Sequence, residues 1–347
     1  MISSSILKLI EFQDLKLEEA EQIMEQIMNG LVSEPQIAAF LTASRMKNVS
    51  AEELTGFLKV MKNKVDRIQY LRSEPILDVC GTGGAPFKTF NASTTSAFIL
   101  AAGGISVAKH GNRSFYSHCG SADILEAVGF NINMGKKIAE KLLNKHQITF
   151  LFAPLYHPAM KHVGSVRKIL GIRTIFNILG PLTNPAGVNR QFIGVFDKSL
   201  ISKFLKVFLK CSYESAFVVH GEIGADEIVT CGKTFVGQLV NETIIMSEIT
   251  PKDLGLEKSH PNDLQNVAPE EASQKMIHIY QGEKGPITDF VLANAAAGFL
   301  TAGRVESLHE GVELARSVID SGRVLDLLEK TIRDSGGNID RFNQLLY

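Results

Sequence analysis

Apolar residues over roughly the first seventy positions recur at helical spacing. Leu54, Phe57, Leu58 and Met61 mark one helical face. Ser33 with Gln36 and Ser50 with Glu53 fit the capping pattern in which a hydroxyl and an acid or amide three residues on satisfy the free N–H groups of a helix start. Gly30 stands where the preceding helix should stop. The pattern predicts a small all-helical domain over 1–70 whose apolar stripes form its core. From Ile76 the rhythm changes. Short apolar runs at 76–80, 105–109, 148–153, 191–196 and 215–220 alternate with helical stretches, which predicts an α/β domain over 75–347 with a central, largely parallel sheet flanked by helices. One helical stretch, HPAMKHVGSVRKILGIRT (157–174), is too long for a simple connection. It is expected to dock back on the N-terminal helices, so that part of roughly 157–185 joins the helical domain. The cleft between the two layers is then the expected site.

Composition fits this picture. The chain has 347 residues with 45% hydrophobic content, enough for two domains. With 36 basic and 37 acidic residues the formal net charge is −1, so no overall field favours nucleic acid or an anionic membrane. Cys80, Cys119, Cys211 and Cys231 are far apart and form no C-x-x-C pair, as expected of reduced, buried thiols. The N-terminus breaks its apolar residues with charges before a signal-peptide core forms, and no run of about 18 apolar residues exists for a membrane span. The expected location is the cytoplasm.

The candidate chemistry starts at DVCGTGGAPFKTFNASTT (78–95), where glycines join a strand to a helix. Bare backbone lets an anion approach N–H groups, the helix start adds its positive end, and Ser, Thr and Asn add neutral donors. A glycine turn with an N-cap would look similar if GTGG stood alone. KHGNRSFYS (109–117) follows the next strand and sets Lys109, His110, Asn112 and Arg113 around a glycine, a second anion cradle at a strand's carboxyl end. Two such loops on adjacent strands suggest a ligand with two phosphate groups. Asp226 and Glu227 in HGEIGADEIVT lie side by side, an arrangement that a hard cation such as Mg2+ held with a diphosphate would relieve. His157 and His162 lack a third protein ligand at zinc spacing. Arg167 is placed either to offer its fork to a planar carboxylate or to close a structural salt bridge.

With GTGG, KTFNAST, KHGNRS, CGSAD (119–123), the segment from His157 to Gly187 and the DE pair assembled, the chain resembles the anthranilate phosphoribosyltransferases, the tryptophan-pathway members of the family they share with the pyrimidine nucleoside phosphorylases. The resemblance covers nearly the whole chain. It implies a homodimer that binds 5-phosphoribosyl 1-diphosphate (PRPP) and anthranilate in the cleft with Mg2+, with no part for nucleic acid or membrane. Gly81, Gly84, Thr89, Asn91, Ala92, Ser93 and Thr94 would hold PRPP, together with Lys109, His110, Gly111, Asn112, Arg113, Ser114, Phe115, Tyr116, Ser117 and Ser121. Gly81, Asn112 and Arg167 would hold anthranilate, and Ser93, Asp226 and Glu227 the metal. No side chain is expected to form a covalent intermediate or act as a strong base. One position departs from the family: GTGG is usually followed by Asp, and Ala85 and Pro86 stand there. Two other readings are a nucleoside phosphorylase of the same fold and a catalytically silent member that binds nucleic acid.

Overall fold

The computed structural model describes residues 2–114 and 118–347. Four helices come first: α1 (Ile2–Ile10), α2 (Leu17–Met28), α3 (Glu34–Lys47) and α4 (Ala51–Lys64). The starts of α3 and α4 follow the expected capping residues. At α4 the box is complete, with Glu53 N–H on Ser50 Oγ at 3.2 Å and Ser50 N–H on Glu53 at 2.7 Å. At α3 only the return arm closes, Ser33 N–H and hydroxyl both donating to Gln36. Glu53 does more than cap. Fully buried, it also accepts from Leu15 N–H at 3.0 Å and pairs with Lys47 at 2.8 Å, so one carboxylate ties the α1–α2 loop to α3 and α4. Leu54, Phe57, Leu58 and Met61 are buried, as the periodicity predicts.

The α/β part runs β1 (Ile76–Gly81), α5 (Ala92–Ala102), β2 (Ser106–Gly111), α6 (Ser121–Ala127), α7 (Lys136–His146), β3 (Ile148–Phe152), α8 (Ala153–Tyr156), α9 (Lys161–Leu170), α10 (Phe176–Leu179), β4 (Arg190–Gly194), α11 (Leu200–Lys210) and β5 (Ser215–Gly221). A hairpin, β6 (Thr234–Val240) and β7 (Thr243–Ile249), follows, then α12 (Pro269–Tyr280), α13 (Pro286–Thr301), α14 (Leu308–Asp320), α15 (Arg323–Ser335) and α16 (Ile339–Leu345). The strand order is β3-β2-β1-β4-β5-β6-β7, parallel from β3 to β5 and antiparallel through the hairpin. The chain leaves β1 toward one side for β2 and β3, then returns to the other side for β4 and β5. The carboxyl ends of β1 and β4 therefore frame a topological switch point, where open α/β sheets hold ligands.

The segment after α8 packs on the N-terminal helices: α9 lies against α2 and α3, with Ser165 donating to Glu34, and α10 lies against α4. Gly30 has φ +72° after α2, and a Cβ there would sit 2.7 Å from Nδ1 of His162 on α9, so this glycine serves both the helix stop and the docking. Among the described residues, no helix is long and apolar enough to cross a membrane. All four cysteines are free; Cys80, Cys119 and Cys231 are buried, and Cys211 is half-buried rather than buried as expected.

Candidate active site

The GTGG loop closes over the switch point. Thr82 N–H donates to Gly194 O at 2.9 Å and Phe196 N–H to Thr82 Oγ1 at 3.0 Å, which zips the ends of β1 and β4 together. Gly83 and Gly84 have φ of +66° and +74°, a bend that side chains rarely adopt, and Gly83 N–H then points to Asp226 Oδ2 at 3.0 Å. Arg173 fixes the outer side of the loop, donating to Gly84 O at 3.1 Å while its guanidinium stacks 4.5 Å from the centre of the Phe196 ring.

The anion cradle expected from the sequence is thus partly filled from within. Asp226 takes one loop N–H. Glu227 accepts from the Thr89 hydroxyl and from Ser93 N–H at the start of α5. The reason is topological: the residues after β5 reach across to the loop after β1, a contact 143 residues apart in sequence. Both carboxylates are half-buried. Burial raises the pKa of Asp226, against the pull of the Gly83 N–H and Lys88. Burial and the neighbouring Asp226 push Glu227 up to about 8, opposed by Thr89, Ser93 N–H and Lys109. Two adjacent acids whose ionisation is suppressed this way suit an added cation. Among the described residues no three His, Cys, Asp or Glu side chains gather into a metal cage.

Of the described PRPP candidates, Thr89, Ser93 and Lys109 gather beside this pair, and the others follow on the loops after β1 and β2. Lys109, on β2, is buried and donates to Val79 O at 2.7 Å and to Ser93 Oγ at 3.3 Å; burial lowers its pKa. Ala92 is buried, and beside it Asn91 Oδ1 and Thr94 Oγ1 are buried with no hydrogen-bond partner, the sort of orphaned acceptors and hydroxyls that a ligand completes. Asn112, Arg113, Ser114 and Ser121 follow Gly111 at the end of β2. Asn112 O accepts from Ser121 Oγ at 3.1 Å, and Ser114 N–H donates to Asp123 at 3.1 Å. Arg113 turns toward α6, where Asp123 at 3.0 Å and Glu126 at 2.8 Å hold it. Phe115, Tyr116 and Ser117 lie outside the described residues. Arg167 is half-buried on α9, 5.6 Å from the centre of the Phe176 ring.

Two contributors, Asp78 and Asn266, carried no recognisable signal in the sequence, and a third contact joins two histidines that the sequence singles out only separately. Asp78, fully buried on β1, accepts His110 N–H at 3.2 Å, leaves Oδ2 unpartnered, and is pushed by burial up to about 6. His110 and His157 meet through their Nε2 atoms at 3.0 Å; burial lowers both, His157 to about 4, so the contact joins two neutral rings. Asn266 donates to Thr89 O at 3.0 Å and Cys119 O at 3.2 Å and accepts Cys119 N–H at 3.0 Å, locking the loop before α5 to the loop before α6.

Residues 3–65 match the helical bundle domain of the glycosyl transferase family, and residues 73–325 match its a/b domain. The chain belongs to the glycosyl transferase family. An anthranilate phosphoribosyltransferase of this family from Petrotoga mobilis is 45% identical over 332 residues, covering 96% of each chain. The crystal structure of the Thermus thermophilus anthranilate phosphoribosyltransferase superposes with a TM-score of 0.90 at 38% identity, covering 96% of this chain and 99% of that one. The Saccharomyces cerevisiae anthranilate phosphoribosyltransferase, solved with PRPP and Mg, superposes with a TM-score of 0.87 at 29% identity, covering 96% of this chain and 98% of that one.

Proposed function

We propose that this family member transfers the 5-phosphoribosyl group of PRPP to the amine of anthranilate, releasing diphosphate and giving N-(5-phosphoribosyl)anthranilate in tryptophan biosynthesis. The observation that carries this reading is the meeting of the GTGG loop, the start of α5 and the Asp226–Glu227 pair at the switch point, in a chain that matches an anthranilate phosphoribosyltransferase along 96% of its length. In this reading Gly81, Gly84, Thr89, Asn91 to Thr94, Lys109 to Ser114 and Ser121 surround PRPP. Asn112, Gly81 and Arg167 face anthranilate, Arg167 through its guanidinium and the aromatic carboxylate. The working division is 1–70 with part of 157–185 against 75–347, and the same reading carries a homodimer in the cytoplasm.

Asp226, Glu227 and Ser93 fit Mg2+, since a pair of suppressed carboxylates beside a hydroxyl supplies hard oxygen ligands and leaves the remaining positions to phosphate and water. When bound, Mg2+ neutralises charge on the departing diphosphate. The chain's own groups do the rest. The buried Lys109 ammonium and the orphaned Asn91 and Thr94 atoms meet negative or polar substrate oxygens in a water-poor setting, where such contacts are strongest. As the C1–O bond to diphosphate breaks with its electron pair, the anthranilate nitrogen lone pair forms the C1–N bond, and the nitrogen then sheds a proton. An aryl amine is neutral near pH 7, so positioning replaces a strong base, and orientation of this kind contributes several kcal/mol. Asp78 and the His110–His157 contact hold the Lys109 segment in place from behind.

The test is to incubate the purified protein with PRPP, Mg2+ and anthranilate and to follow anthranilate loss against diphosphate release, which should match one to one. Phosphate-dependent release of base from uridine or thymidine, with no anthranilate loss, would instead make it a nucleoside phosphorylase.

A further inference from the structure

At the amino ends of the central strands, the end of the sheet opposite the GTGG loop, a cavity of about 240 Å3 opens where the two domains join. Its walls come from the end of α4 and the linker after it (Lys62, Val65, Arg67), from the loop before β4 (Leu182, Val188) and from the α11–β5 turn (Cys211, Tyr213). Three lysines near the end of α4 show what is unusual here. Lys59 pairs with Glu21 at 2.9 Å and Lys64 with Glu25 at 2.5 Å, both across to α2. Lys62 turns the other way, into the cavity. It donates to Tyr213 Oη at 3.2 Å, with its ammonium 4.5 Å from the centre of that ring, and pairs with no carboxylate among the described residues. Arg67 spends one N–H on Lys62 O at 3.3 Å and likewise has no carboxylate partner among the described residues. Two cations therefore border one cavity without an anion, beside an apolar wall of Val65, Leu182 and Val188.

We propose that this junction cavity binds a small organic anion, its carboxylate or phosphate held by Lys62 and Arg67 and its body against Val65, Leu182 and Val188. A partly desolvated ammonium with only a tyrosine hydroxyl for company gains most from an oxyanion, because charge-assisted hydrogen bonds are about twice as strong as neutral ones. The volume lies below the roughly 300–1,000 Å3 of drug-sized pockets, which limits the ligand to a single ring or sugar. Because the walls belong to both the helical and the α/β layers, an occupant bridges them at the end remote from the reaction. This site is separate from the transferase reading and stands or falls independently of it.

Cys211 gives a local readout, since it lines the cavity and is the half-buried cysteine, whereas Cys80, Cys119 and Cys231 are buried. The full-length protein is alkylated with the uncharged reagent iodoacetamide, and modification of Cys211 is followed by mass spectrometry with inorganic phosphate, benzoate or chloride present. Phosphate, benzoate or both should slow Cys211 alkylation severalfold while chloride at equal ionic strength does not; phosphate alone assigns a phosphate ester, benzoate alone a carboxylate. Lys62→Met, and the exposed Arg67→Gln as a variant that spares the packing, should each raise the anion concentration needed for half-protection about tenfold. The proposal is overturned if neither anion protects Cys211, or if protection is unchanged in Arg67→Gln.

Discussion

Gly81→Ala displaces Asp226, one of the two carboxylates proposed to hold Mg2+, through a steric clash. A Cβ at Gly81 would sit 2.7 Å from Asp226 Oδ2 and 3.3 Å from its Cγ, closer than atoms pack. Gly81 is held in register by its pairing with Gly194 on β4, so Asp226 has to yield. As it swings away it gives up the 3.0 Å bond from Gly83 N–H. A hydrogen bond to a charged group is worth roughly 1.5–3 kcal/mol, about ten- to a hundredfold in use of the Mg2+–PRPP complex. The fold should tolerate the change, because the clash falls on a side-chain end and alanine suits a strand better than glycine by roughly 0.5–1 kcal/mol. Gly194→Ala is the contrast. There the new Cβ would land 1.5 Å from the main-chain oxygen of Asp226, which no side-chain rotation relieves, so the variant should lose several kcal/mol of stability. The assay is anthranilate turnover as Mg2+–PRPP is varied, alongside thermal melts of both variants. Wild-type turnover and Mg2+ dependence in a well-folded Gly81→Ala would refute the claim that the position of Asp226 matters to the reaction.

Glu227 is raised from its ordinary 4.5 to about 8, so the folded protein holds that proton more tightly; the associated stability is full below about pH 4.5 and lost as pH rises through about 8. Without Mg2+, Glu227→Gln should therefore melt higher than wild type at pH 8–9 by about 1–3 kcal/mol after solvent screening, and equally near pH 4.5; a variant that melts lower across the whole range would count against this. Arg167→Gln should weaken anthranilate use about ten- to a hundredfold and leave PRPP binding nearly unchanged; equal damage to both substrates with a lowered melting temperature would make Arg167 a structural residue. Ala85 is buried, with 2% exposure, in the place where the family usually carries Asp. Ala85→Asp should keep activity and shift the Mg2+ dependence, as the new carboxylate turns outward to meet a cation rather than remain buried; an unchanged Mg2+ profile would show that it does not reach the metal.

Strands β1 to β5 were legible because parallel strands covered on both faces read as short apolar runs. The hairpin was not. β6 carries Gly237 in its middle, β7 is an edge strand with much of its length exposed, and the two-residue turn is Asn241-Glu242 with φ of +48° and +59°. Asn-Gly is the usual signal for such a turn, and Glu242 conceals it. In the site, each motif could be read but not the contacts between them. Nothing local shows that Gly83 and Ser93 N–H groups are met by Asp226 and Glu227, that Arg113 turns to Asp123 and Glu126, or that Asn266 ties two loops together, because all of these follow from the switch in strand order.

The most direct measurement compares wild type with Asp226→Asn/Glu227→Gln in one assay, the initial rate of anthranilate loss with saturating PRPP and Mg2+, each protein's fold checked by its melt. Wild type should consume anthranilate, and the double variant should lose most of that rate, on the order of a hundredfold or more, while remaining folded. Full activity in the folded double variant would contradict the account, for the two carboxylates gathered by the GTGG loop and the start of α5 would then have no part in phosphoribosyl transfer.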